Sequence, residues 1–492
     1  TGHSDPVGNE LAFSYDPVGY LFSESDANGF TTRYSYETLY RLEQIEDPLL
    51  YQTNYSYDPV GNRISETDAN GYTTSYSYDP LNRLESRTNA LGCETSYSYD
   101  PVGNRISETD ANGYVTNYSY DDLNRLVNVA DALAYQTNYT YDPVGNRISE
   151  TDANGYMTTY SYDALNRLMQ IEDPLLYTTN YSYDPVGNRI SETDANGHTT
   201  SFTYDGLNNM TSTTDALGLI TTYSYDPVGN RISETDANGH ITYYGYDPLN
   251  RLDQTTDALG NATTYEYDSV GNRIGGTDAL GRRWEYEYDE LNRCTLGRSP
   301  IGNETSYEYD PVGNRITRTD PNGATTLYTY DDMNRVLQVA YGTGDVIDYE
   351  YDCVGNRLSM THTGGLGDVI EIEYDALNRL SAETIHYCAF SKNVSYTYDG
   401  LGNILSLTDP DGQMLVYSYD ESGRRVHVTD PSGLVTTMVY DPAARRTETH
   451  FPNGTWMEYE YDENDRVTAI TTYDPADSPL SSYTYDYDGV GR

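Results

Sequence analysis

YDPVGNRISETDANG, at Tyr57–Gly71, is the stretch from which the rest of the chain can be read. The same fifteen letters return at Tyr99–Gly113, Tyr141–Gly155, Tyr183–Gly197 and Tyr225–Gly239, each copy starting 42 residues after the last. Between them sits a sister unit, such as YDPLNRLESRTNALG at Tyr78–Gly92. A Tyr-Asp pair therefore falls every 21 residues from Tyr57-Asp58 to Tyr351-Asp352. Self-similarity at a fixed period implies one stacked body whose units share their stability, not a string of separate domains.

Within a unit, Tyr72–Tyr78 alternates large and small residues, the period of a strand. Tyr72, Thr74, Tyr76 and Tyr78 share one face; Thr73, Ser75 and Ser77 share the other. Asp58-Pro-Val-Gly61-Asn punctuates, because Pro presets φ, Gly accepts a left-handed φ and Asp caps its own turn. Arg63–Thr67 reads as a second strand, and Asp68-Ala-Asn-Gly71 as an Asn-Gly hairpin turn. The main unit takes five steps from Asp58 to Arg63, whereas the sister takes four from Asp79 to Arg83. That difference predicts two kinds of turn on one strand register. No helical apolar period lasts two turns. Three tyrosines, one isoleucine and two turns cannot offset the conformational entropy of 21 residues, so neighbours must supply the rest, tyrosine stacked on tyrosine and strand on strand.

The chain has 77 acidic against 29 basic residues, a net charge of −48, and only one lysine, Lys392. Low mean hydropathy with such charge would suggest disorder, but 55 tyrosines carry buried area that a hydropathy score does not register. The acidic balance disfavours nucleic acid and anionic membranes, which need clustered Lys and Arg. No apolar run reaches the roughly 20 residues of a membrane helix. Cys93, Cys294, Cys353 and Cys388 are scattered without metal spacing, and the pattern does not indicate a disulfide framework.

Residues 1–14 read as a truncated repeat, 15–356 as the regular array, and 357–492 as divergent repeats with insertions mapping to loops on one edge. The opening inside DPVGNE at Asp5–Glu10 and the stop inside Tyr487–Arg492 read as a piece of something longer.

The recurring Tyr-Asp, the Gly-Asn-Arg or Leu-Asn-Arg after it and the closing glycine resemble the YD-repeat, or RHS-repeat, family over nearly the whole chain. The resemblance implies an all-β strip of antiparallel β-hairpins spiralling into a hollow β-tube or shell. Bacterial toxin members use such a shell around a toxic C-terminal domain, and animal members use it in adhesion outside the cell. Near-identical units favour an open-ended, filament-like body over a capped vessel, since like neighbours repeat one geometry. The expected role is a non-enzymatic segment of a long secreted bacterial protein, forming a fibre, tube or matrix and adhesion element at the cell surface. The alternatives are a toxin shell without its toxic domain and a carbohydrate-binding surface repeat.

The residues expected to hold the repeat are Tyr57, Asp58, Gly61, Arg63, Gly71, Tyr76, Tyr78, Asp79 and Arg83. Their counterparts are Tyr99, Asp100 and Arg105; Tyr141, Asp142 and Arg147; Tyr183, Asp184 and Arg189; and Tyr225, Asp226 and Arg231. Each arginine is expected to stack on tyrosine or fork onto a carboxylate of a neighbouring unit. The tyrosine row reads as packing, with glycan stacking and electron hopping as sharper alternatives. Asn54, Asn117, Asn138 and Asn180 match the N-glycosylation acceptor pattern. The carboxylates fit no calcium loop, and Gly364-Gly-Leu-Gly-Asp368 misses the repeat pattern that binds calcium. Seven histidines make no motif; His198 and His240 stand where sister copies have tyrosine. The expectation is no catalytic residue, metal or cofactor. Partners would be neighbouring repeats, other copies of the chain and glycans, with no nucleic acid and no membrane insertion.

Overall fold

The computed structural model describes residues 2–364 and 367–492; Thr1, Gly365 and Leu366, the last two within the glycine-rich stretch, lie outside the described residues. Among the described residues it is all-β: 46 strands in one antiparallel sheet, with strands adjacent in sequence pairing. Among the described residues there is no helix, and so none long and apolar enough to cross a membrane.

The strands fall where the repeat places them. Thr73–Tyr78 forms a strand with alternating exposure, its tyrosine face half-buried and its serine–threonine face open. Arg63–Thr67 is the next strand type, paired through Ser65 with Ser75 on one side and Ser56 on the other. A register shift between Ser56 and Tyr57 recurs in hairpin after hairpin, leaving Tyr57 opposite Arg63. On the open face, hydroxyls pair across strands, as Ser77 with Ser86 and Thr67 with Thr73, both at 2.8 Å.

Both turn types differ from the sequence reading. Asp68-Ala-Asn-Gly71 is not an Asn-Gly turn with two left-handed residues. Only Gly71 has positive φ, at 89°, and its amide bonds back to the Asp68 carbonyl. Asn70 stays right-handed, which leaves its side chain free to point away from the turn. The main and sister turns, expected to differ, share one geometry. Gly61 (φ 107°) and Asn82 (φ 62°) occupy the same left-handed slot, each donating to the Asp three residues earlier. What moves is the arginine. Arg63 opens a strand, whereas Arg83 sits one slot earlier, where the main unit has Asn62.

Contacts gather the chain into two units. The first comprises Thr1–Val115, Tyr244–Ile372 and Ile385–Ser391; the second comprises Thr116–Tyr243, Glu373–Thr384 and Lys392–Arg492. Inside each, the strip meets itself. In the first unit, Asn28, Asn70 and Asn112 donate to Asp268, Asp310 and Asp352, each 240 residues on. In the second, Asn154 and Asn196 reach Asp399 and Asp441 after 245 residues, and Asn238 reaches Asp488 after 250. Insertions lengthen the count without changing the partner, since each asparagine meets the Tyr-Asp turn twelve units later. The extra residues do not simply form loops. They extend strands, as in Leu380–His386 and Ser391–Tyr398, joined by a tight turn in which Tyr387 donates to Phe390.

A single layer has little interior. The described buried apolar residues are Val339, Ile372, Ala382, Met438 and Ala469, and no side chain is fully buried. The chain exposes 26879 Å², against about 18,000 Å² for a compact globule of this mass. Cohesion must therefore come from hydrogen bonds and half-buried rings along the strip, not from a central core.

Candidate functional site

The recurring tyrosine, aspartate and arginine form one connected array. Along the strict array the Tyr-Asp tyrosine ends a strand and donates its phenol hydroxyl to a backbone carbonyl fifteen residues earlier, and past the insertions Tyr398 reaches Leu380 and Tyr487 reaches Val467. Tyr57 reaches Leu42 at 2.8 Å, Tyr78 reaches Arg63 at 3.0 Å and Tyr99 reaches Leu84 at 2.9 Å. Tyr141, Tyr183 and Tyr225 repeat this with Leu126, Leu168 and Met210. The bond fastens each hairpin to the start of the preceding strand, next to the register shift where the ladder is interrupted.

The next residue caps the turn. Asp58 Oδ1 accepts backbone N–H bonds from Val60, Gly61 and Asn62, and its Oδ2 accepts from the Asn62 side chain. Asp100, Asp142 and Asp184 do the same, and Asp226 holds the corresponding bonds from Val228 and Asn230. In the sister turn Asp79 accepts from the Arg83 backbone and, at Oδ2, from Arg83 Nε at 2.6 Å. Both variants then lean on the following turn. Asn62 donates to Asn82 Oδ1, and Arg83 Nη1 donates to the Asp100 carbonyl at 2.7 Å.

Arginine lies between the rings. Arg63 sits over Tyr55 and Tyr76, at 5.6 and 5.0 Å from their centroids, and pairs with Glu66 at 3.1 Å. Arg105, Arg147, Arg189 and Arg231 pair likewise with Glu108, Glu150, Glu192 and Glu234, and lie over Tyr97, Tyr139, Tyr181 and Tyr223. Arg83 lies over Tyr99 of the following unit at 4.8 Å. The stacking is thus shared between units, while the carboxylate belongs to the arginine's own unit. The expected tyrosine-on-tyrosine stacking occurs at Tyr20, 4.9 Å from Tyr40, whereas in the strict units ring alternates with guanidinium. Tyr55 and Tyr76 stand on strands two apart, and neighbouring strands are about 4.8 Å apart, so a flat cation on the strand between fills the gap.

Carboxyl protons are weakened by these bonds. The Asp79 carboxyl is held below its ordinary value chiefly by the Arg83 backbone N–H, with the Arg83 side chain adding to it against burial. The Arg125 side chain comes first for Asp121, and the Arg167 backbone for Asp163. Phenols move the other way. Burial raises Tyr78, Tyr99 and Tyr225, and burial with the Glu24 carboxylate pushes Tyr34 up to about 12. A phenol whose folded value exceeds 10.0 stabilises fully below pH 10 and loses that contribution as pH rises through the folded value. A lowered carboxylate stabilises above its unfolded 3.8 and loses it as pH falls through its folded value. The chain is therefore expected to hold its structure between these limits and to unfold on either side. Absorbance at 295 nm with far-UV circular dichroism checks the alkaline arm. Tyrosinate should appear together with loss of the β signal; free ionisation at the ordinary value with the β signal intact would contradict it.

The asparagine clamps were not legible as such. Asn70 Nδ2 donates to Asp310 Oδ2 at 3.0 Å, while Asp310 also holds Asn314. In the second unit the sister turns carry their own versions: Ser422 donates to Asp173 and Asn464 to Asp215. Removing one clamp by Asn70→Ala is expected to cost about 1 kcal/mol, read as a lower melting temperature, because Asp310 keeps its other donors.

The cysteine reading is corrected: Cys93 and Cys353 form a disulfide across 260 residues, in which Cys294 and Cys388 take no part. Cys93 stands in the slot of Tyr72 and Cys353 in that of Asp332, a pair that also lies 260 residues apart and is joined by a side-chain hydrogen bond. Two departures at partner slots were the available signal.

The glycosylation candidates lie inside strands, not loops. Asn54, Asn138 and Asn180 accept from Gln44, Asn128 and Gln170, and Asn117 is exposed. Asp194, His198 and Asp465 bring one ligand atom each within 4.8 Å of one another, but Asp465 also pairs with Arg445 at 2.8 Å, a cation already in place.

The RHS Repeat family model matches eleven segments, some of them overlapping, from residues 57–95 through 183–220 and 309–346 to 419–455. No curated protein matches. Among solved structures, TcdB2-TccC3 without its hypervariable C-terminal region superposes with a TM-score of 0.59 at 14% identity, over 98% of this chain and 34% of that one. The Photorhabdus luminescens Tc holotoxin pore is matched at a TM-score of 0.40 and 13% identity, over 98% of this chain and 35% of that one. This chain spans about a third of the length of the solved chains it resembles. With the family model covering more than half of its residues, the chain belongs to the RHS-repeat family.

Proposed function

We propose that this chain is a non-enzymatic structural segment of a longer secreted RHS-repeat protein, working outside the cell as a fibre, tube or matrix and adhesion element. The observation that supports this reading is where the reactive side chains are used. Tyr, Asp and Arg of unit after unit close turns, join neighbouring hairpins or stack between rings. Such a surface resists bending and offers many identical contacts, properties suited to a scaffold. Antibody labelling of intact source cells tests it: signal at the surface, lost after external protease, is expected. Signal only after lysis would reject it. The second reading, a toxin shell lacking its toxic domain, draws on the likeness to TcdB2-TccC3. It would be favoured if the native protein carried an unrelated, protease-protected polypeptide.

A further inference from the structure

The strip has two turn edges, and in the first unit each is covered over one stretch and bare over another. The Tyr-Asp edge carries Val or Leu two residues after its Asp. Twelve units on, this row is partly covered: Leu291 shares a cavity with Pro48, and Met333 and Val354 share one with Asn89 and Ala111, Val354 being 37% exposed against 73% for Val102. The same slots early in the chain are bare: Val18, Leu39, Val60, Leu81 and Val102 are exposed, Val60 at 73%. The opposite edge behaves inversely. Where it is covered, its slots hold the clamping Asn28, Asn70 and Asn112, alternating with the half-buried Leu49 and with Leu91 at 43% exposure. Where it is bare, it shows Leu259, Leu280 and Ile301, at 87%, 76% and 81%.

We propose that these two bare edges dock on each other in separate molecules, a second copy of this chain setting its Leu259–Leu280–Ile301 row against the Val60 row of the first. The argument is continuity: the covered part of the molecule already joins these edges, and exposed apolar rows of this regularity mark contact surfaces. Leu280 replaces the clamping asparagine of the main unit, so the contact between copies rests more on apolar burial and less on charge-assisted bonds than the contact within one. Two different edges meet, so the association is head to tail and leaves one edge of each kind open at the ends. A net charge of −48 opposes it, and salt that screens this repulsion strengthens it. The proposal gives the fibre reading a molecular contact and rests on it only for its biological setting.

Sedimentation velocity on the full chain, at about 50 and about 500 mM sodium chloride, is the test. Wild type is expected to shift at the higher salt from monomer to a series of at least two-fold larger species. V60D/V102D removes one edge and L280D/I301D the other, all at exposed positions, with circular dichroism checking the fold. Each variant alone should remain monomeric, whereas an equal mixture should form dimers and stop, since one complementary pair of edges survives. Wild type monomeric in both salts, a variant that assembles alone, or a mixture that stays monomeric would each overturn the proposal. A monomer would leave the structural role of the chain to be judged by the surface-labelling experiment.

Discussion

A two-unit fragment covering residues 99–141 is expected to be unfolded in water. Several of its tethers lie outside it. The Tyr99 hydroxyl binds Leu84, and Arg83 stacks on Tyr99 from the preceding unit. At the other end Arg125 donates to Asp142, and Asn112 clamps to Asp352. What remains is four short strands whose tyrosine face is only half-buried, too little apolar burial to offset the conformational entropy of ordering them. Far-UV circular dichroism should lack a β minimum and thermal scans should show no sigmoid. The full chain should melt cooperatively. A sharp, reversible transition in the fragment would mean that units stabilise themselves without the phenol, arginine and ring contacts that join each unit to the next.

Replacing Tyr141 separates the two contributions of the tyrosine row. Tyr141→Phe removes only the bond to the Leu126 carbonyl and is expected to cost about 1 kcal/mol. Tyr141→Ala also removes the ring beneath Arg125, 4.9 Å from its centroid, and should cost about 3 kcal/mol. Because coupling in a repeat array runs between neighbours, the loss should appear as local opening near residue 141 before global unfolding. Hydrogen exchange should show amides of Gln136–Tyr141 and Arg147–Thr151 exchanging faster, with remote strands unchanged. Equal effects of Phe and Ala would mean that the ring contributes nothing beyond its hydroxyl.

Strands and turns were legible because their causes are local. The Tyr-Ser-Tyr alternation fixes a face within six residues, and an Asp followed by a left-handed Gly61 or Asn82 closes a turn within five. The Tyr-Asp spacing carried that reading through insertions. Contacts between distant units were not legible, since their causes are geometric. Nothing in the letters around Asn70 says that the strip's curvature brings Asp310 to it, so the asparagine was read as a turn former. The same gap hid the Cys93–Cys353 bond. The arginines were legible in part. Five steps from Asp58 to Arg63 against four from Asp79 to Arg83 separates the two unit types, and stacking on tyrosine was expected, but that Arg63 opens a strand while Arg83 ends the turn follows from backbone geometry.

Twelve is an even number, and the two unit types alternate. In the strict array an asparagine-bearing turn therefore finds a turn of its own type opposite, as Asn70 finds Asp310 and Asn112 finds Asp352, whereas the divergent repeats set Asn196 against the four-step turn of Asp441. Gene duplication that adds a 42-residue pair keeps every such match, whereas adding one 21-residue unit would set unlike turns against each other across the junction. Growth by doublets is thus the path of least disruption, and the verbatim copies 42 residues apart are the kind of trace such growth leaves.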